Sequence, residues 1–167
     1  MAVLPILPAQ HPMLGRVAAR VPKVDDSVRR LANDMQETMR SASGVGLAAP
    51  QVGRPLRLIV CQESEDAEVL TLVNPRISKA SGSEVADEAC LSLPGWFGPV
   101  ERHLNIRVKA LDERGRARSL AAEGFLARII QHEIDHLDGI MFTERIVEGG
   151  ELQFAEAATA EEAAAPA

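Results

Sequence analysis

The chain has 167 residues, 46% hydrophobic and 25% charged, which suits one globular domain that folds without a disulfide framework or structural metal. Its 24 acidic and 18 basic residues include six Glu and one Arg after Phe142, so residues 1–142 are nearly neutral and carry no basic stripe for nucleic acid. Two cysteines exclude a disulfide scaffold, and 3% aromatic content without tyrosine excludes a stacking platform for bases. The opening MAVLPILPAQHP lacks the cationic start of a secretory signal, and no run of about 18 apolar residues is present to span a bilayer. A reducing, aqueous compartment, the cytoplasm, is expected.

In chain order, residues 26–41 (DSVRRLANDMQETMRS) place Val28, Leu31, Met35 and Met39 at helical spacing and predict an amphipathic helix. GVGLAAPQVG, from Gly44, is too glycine-rich and proline-broken for a helix interior and reads as a structured loop. PLRLIVCQ (55–62) predicts a strand, and LTLVNPRI (70–77) another that ends near Asn74-Pro75. NIRVKAL (105–111), the turn DERG and RARSLAA predict a strand, a turn and a strand.

Residues 123–138 predict the most regular helix. Phe125, Ile129, His132 and His136 fall within about 60° of one another, with Leu126, Ile130, Glu133 and Leu137 in the adjoining sector. Arg128, Gln131 and Asp135 form the opposite, wet face, and Gly139 is placed to end the helix. From Gly149-Gly150 the chain turns to alanine, eight of 19 residues, and glutamate. With little apolar face to dock, residues 149–167 predict a flexible acidic tail after a domain spanning 1–148.

HEIDH (132–136) is a His-Glu-x-x-His pattern: residues four apart on a helix let both imidazoles reach one metal ion, and Glu133 can touch a water there. Solvated surface histidines are the plain alternative, and the phase opposes it, because both share a stripe with Phe125 and Ile129. A catalytic site needs a third ligand and an open position. The metzincin continuation HExxHxxGxxH matches through Gly139 and then places Phe142 where the third histidine belongs. The glutamates further downstream, Glu156, Glu161 and Glu162, lie in the tail. Cys90, among the polar and turn residues of DEACLSLPG, is a candidate thiolate ligand, whereas Cys61 in LRLIVCQ suits a small buried hydrophobe. His11 and His103 have no motif partner.

These blocks resemble the peptide deformylases, from about Leu7 to Ile146. GVGLAAPQVG with Gln51 is similar to the family's first motif, EACLS (88–92) to its second and QHEIDHLDG (131–139) to its third, in the family's order. The resemblance implies metal binding by His132, His136 and Cys90, with Glu133 as general base and then proton donor to the departing amine. It implies that Gln51 and the Leu91 backbone N–H hold the oxygen of the tetrahedral intermediate. Gly44, Val45 and Gly46 would pair with substrate backbone as an added strand. Glu88 and Arg102 match an ion pair that shapes the site, and an apolar pocket for methionine would lie near Val45, Phe125, Ile129 and His132. Trp96 and Phe97 would rim the cleft, or tuck onto the body. The implied metal is ferrous iron, with zinc, nickel or cobalt as substitutes, and the implied substrates are formyl-methionyl nascent chains met in a bacterial cytoplasm, near the ribosome.

One position departs from that resemblance. Ala89 stands where the family usually has glycine between glutamate and cysteine, so a methyl group either narrows the cleft or lies against its wall. An α+β domain is expected: a mostly antiparallel, twisted sheet wrapped around the metal-bearing helix, with the helix of 26–41 packed outside. The chemistry needed is amide hydrolysis: a nucleophilic water, oxyanion donors and a proton for the amine. A zinc endopeptidase, an inactive metal-bound relative that binds nascent chains, and a closed structural zinc site are the rivals.

Overall fold

The computed structural model describes residues 1–155 and consists of two helices and two antiparallel sheets. Helix α1 (Asp26–Ser41) starts at Asp25, whose side chain accepts the Val28 N–H, and turns Val28, Ala32, Met35 and Met39 inward. The first sheet runs β1 (Gly46–Ala48), β2 (Leu58–Cys61), β3 (Leu70–Ser81), β6 (Asn105–Leu111) and β7 (Ala117–Glu123), in that spatial order. The second joins β4 (Glu84–Cys90), β5 (Leu93–Arg102) and β8 (Gln153–Phe154). Helix α2 (Gly124–Leu137) follows β7 and stops at Asp138, where Gly139 takes φ +74° as the sequence predicts.

Both faces of the first sheet are covered near β2, which explains its unbroken apolar run. Leu58 and Val60 join α1 in one core cluster, whereas Ile59 and Cys61 join Ile129, Ile130 and Ile134 of α2 in another. Further along the sheet one face meets water, and β6 alternates: Ile106, Val108 and Ala110 point in while Arg107 and Lys109 point out.

Three expectations change. GVGLAAPQVG is not all loop, because Gly46–Ala48 pairs antiparallel with β2 and Ala49–Val52 makes a 3-10 turn. The strand from Leu70 does not end at Asn74-Pro75. Asn74 takes φ +51° at a register shift, so Pro75 sits in a bulge and pairing resumes at Arg76. Nor does the body stop at Gly149-Gly150: Phe154 pairs with Trp96 and Gln153 with Phe97, and the Ala155 N–H donates to Gly95 O at 2.7 Å. The remainder of the expected tail, residues 156–167, lies outside the described residues. Among the described residues no helix is long and apolar enough to cross a membrane.

Candidate active site

Every residue of α2 from Ala127 to Leu137 is buried, including Arg128, Gln131, His132, Glu133, Asp135 and His136. The wet face expected for Arg128, Gln131 and Asp135 does not exist. The helix is covered on that side too, by β5 and the segment after it, and each of the three is bonded there. Gln131 exchanges two hydrogen bonds with the His103 backbone, at 3.0 and 2.9 Å. Asp135 accepts from Arg102 and Arg145, each at 2.6 Å. Buried polar groups at this density need partners, and most have them.

Cys90 at the end of β4 faces His132 and His136 of α2, and one donor atom from each of the three lies within 4.8 Å of the others. His136 Nε2 is 3.3 Å from Cys90 Sγ. Gln51, in the 3-10 turn after β1, has its Oε1 fixed by the Ala48 N–H at 2.9 Å, which aims Nε2 at Ser92 Oγ (3.1 Å) and Cys90 Sγ (3.5 Å). The N-terminal segment ties this turn to the hairpin: the Leu7 N–H donates to Gln51 O and the Ala9 N–H to Ser92 O.

Glu88 orients the cluster. Its Oε1 meets His132 Nδ1 and Arg102 Nη2, both at 2.8 Å; its Oε2 accepts from Arg102 Nε at 2.7 Å and Arg128 Nη1 at 2.8 Å. Burial alone would raise the Glu88 pKa, but its bonds to Arg102 and His132 outweigh it and hold the carboxyl down to about 2. Burial likewise opposes charge on His132, yet its bonds to Cys90 and Glu88 raise the ring to about 10. With Nδ1 on Glu88, Nε2 is the nitrogen on the Cys90 side, and it must give up its proton to become a ligand. Burial, followed by the charge of His132, lowers His136 well below the ordinary histidine value, so its ring is neutral and a ready ligand.

Glu133 is buried and its carboxyl is pushed up to about 7 by burial, against the nearby charge of His132. Its Oε2 has no hydrogen-bond partner among the described residues. Gly46 makes room for it: a Cβ there would lie 2.5 Å from Glu133 Oε1.

These groups open on a cleft of about 580 Å³ lined by Gly44, Val45, Gly46, Gln51, Glu88, Ala89, Cys90, Leu91, Phe125, Ile129, His132 and Glu133, among others. Ala89 lies on the exposed wall and is outside the positive-φ region, so its methyl changes the wall without straining the backbone. Leu91 stands at the turn between β4 and β5, its side chain packed where a Cβ on Gly44 would fall. Trp96 is not brought into the lining: it packs edge-on against Phe154 at 5.2 Å, beyond Gly95. Arg102 and His136 are buried and are not among the residues lining the cleft. Sequence reasoning missed Arg128, Ser92 and Phe142. Ser92, in the EACLS block, was within reach, but Phe142, stacked on the His132 ring at 6.0 Å, carries no signal beyond not being a ligand.

A sulfur and two imidazole donors, from a hairpin and a helix, with a carboxylate free beside them, are the donor set of a metal-dependent hydrolase. Comparison with known proteins narrows the class. Residues 3–151 match the family model described as polypeptide deformylase. A peptide deformylase of Thermomicrobium roseum is 46% identical, covering 92% of each chain, and peptide deformylase 1 of Bacillus cereus is 47% identical, covering 87% of this chain and 94% of its own. The crystal structure of the Ehrlichia chaffeensis enzyme in complex with actinonin superposes with a TM-score of 0.86 at 38% identity, covering 89% of this chain and 91% of that one. The Thermus thermophilus enzyme gives 0.84 at 47%, covering 88% and 87%.

The chain belongs to the polypeptide deformylase family. It is a metal-dependent enzyme that removes the formyl group from N-terminal formyl-methionine of newly made polypeptides, releasing formate.

Proposed function

We propose that Cys90, His132 and His136 hold one divalent cation, ferrous iron in the natural protein, and that Glu133 is the general base beside it. The observation that carries this is the unpartnered, buried Glu133 Oε2 next to a cluster of sulfur and imidazole donors. When bound, such an ion polarises a carbonyl and lowers the pKa of a water towards neutrality. Glu133, buried beside the donors with one oxygen unpartnered, takes a proton from the attacking water and delivers it to the amine nitrogen as the amide bond breaks. Gln51 Nε2 and the Leu91 N–H donate to the oxygen that gains charge, worth about 3–4 kcal/mol for a well-placed donor. Glu88, held by Arg102, keeps the His132 ring in register.

Gly44–Gly46 accept the substrate backbone along the free edge of β1, across from Ala89. The methionine side chain enters beside Val45, Phe125 and Ile129. Val45 is 39% and Phe125 51% exposed, so both leave apolar surface for a ligand, while Ile129 (4%) belongs to the core and forms the floor. Thus α2 is the metal-bearing helix that the sheets wrap, with α1 outside. The active unit runs through Ala155, because β8 closes the second sheet, and it works in a bacterial cytoplasm on chains leaving the ribosome.

Anaerobic protein loaded with ferrous iron is given formyl-methionyl and formyl-glutamyl tripeptides. Formate is expected almost entirely from the first, with activity that decays in air as iron or sulfur oxidises. Equal turnover of the two peptides would remove the apolar pocket, and a ferrous enzyme indifferent to oxygen would remove Cys90 from the metal.

A further inference from the structure

The three donors come from two elements: Cys90 from β4, His132 and His136 from α2. Their mutual distance therefore depends on what holds α2 against the β4–β5 hairpin. Arg128 lies one helical turn before His132 on the same line of α2 and is 8% exposed. Its guanidinium donates to Val100 O (2.9 Å) on β5, to Glu84 O (2.8 Å) on β4 and to Glu88 Oε2 (2.8 Å). Glu84 pairs with Arg102 and Ala86 with Val100, so this one side chain spans both strands. It also takes the fourth bonding site of the carboxylate whose other three positions serve His132 and Arg102.

We propose that Arg128 is a positioning residue of the metal centre, fixing both the approach of the Cys90 hairpin to α2 and the carboxylate that sets the His132 ring. This rests on the metal assignment proposed above. A planar fork with donors in several directions is needed, which a lysine point charge does not supply. Groups bonded directly to metal ligands, as Glu88 is to His132, change affinity by roughly 10- to 100-fold when removed, and Arg128 stands one bond behind Glu88, which sets its effect at the lower end.

The test titrates apo-protein with Co²⁺ and follows the thiolate-to-cobalt absorption, with melting temperature as the check on folding. Arg128→Met keeps the apolar stem, and is expected to weaken Co²⁺ binding by about 10-fold with an altered band. Arg128→Lys is expected to recover part of that loss. Folded Arg128→Met with wild-type affinity and spectrum overturns the proposal. If that variant does not fold, Arg128→Lys decides: affinity below wild type supports the role, and wild-type affinity overturns it. A wild-type protein with no thiolate band, or a band that survives in Cys90→Ser, is a different failure. It removes the metal assignment itself, and the role of Arg128 with it.

Discussion

Helices α1 and α2 cover opposite faces of the same sheet and differ in what they bury. From α1, the sheet receives Val28, Ala32, Met35 and Met39; the one buried polar residue, Thr38, is satisfied by Asp34 O one turn back and by the Leu4 N–H of the N-terminal segment. From α2, nothing between Ala127 and Leu137 reaches solvent freely, and six of those eleven residues are polar or charged. The cause is coverage. One side of α1 faces water, whereas α2 beyond its first turn is covered all round, so its polar groups bond to one another, to the hairpin, or to something that enters the cleft. The first helix buries an almost wholly apolar stripe, and the second buries two of the three candidate metal donors.

Substitutions can break that comparison. The largest effect is expected from Glu133→Ala, which should cut kcat by about 10²- to 10⁴-fold while metal content is unchanged, because it removes a base and no ligand. Cys90→Ser should lower the metal retained after anaerobic dialysis, measured by atomic absorption; unchanged content would take Cys90 out of the site. Gly46→Ala places a methyl 2.5 Å from Glu133 Oε1, and displacing that carboxylate is expected to reduce kcat by up to about 100-fold with metal retained. On the other helix, Met35→Ala should cost about 2–5 kcal/mol in denaturant unfolding and leave kcat at its original value. A large loss of kcat there would mean that the two faces are not separable.

The smallest effect concerns the start of α1. Hydrogen bonds from Ser27 and the Val28 N–H hold the Asp25 carboxyl below its ordinary pKa. A depressed folded value stabilises above the unfolded pKa and is lost as pH falls through the folded one. Asp25→Ala should therefore lower the melting temperature slightly at neutral pH, and the difference should vanish in strong acid.

What the sequence made legible follows the same division. The helix of 26–41 was visible because its partner is a single apolar surface, so one face of the wheel sufficed. The donor cluster was visible through fixed local spacing, His132 to His136, and through the ordered blocks around Gln51 and Cys90. Arg128, Gln131 and Asp135 were misplaced because a helical wheel knows only one side, and the second covering layer is a hairpin distant in sequence. That hairpin was itself hidden: DEACLSLPGWFGP has the prolines and glycines of a turn, yet Glu84–Cys90 and Leu93–Arg102 pair along their lengths. The strand β8, two residues within an Ala/Glu-rich stretch, has no period to detect, and its place is set by Trp96 and Gly95.

The most direct test of the account measures iron and formate together on Glu133→Ala and the parent protein, prepared anaerobically with a formyl-methionyl tripeptide. One metal per chain is expected in both, with formate released by the parent alone. Formate release by the variant at a rate near the parent's would contradict it, since the unpartnered carboxylate of α2 would then have no part in moving the proton.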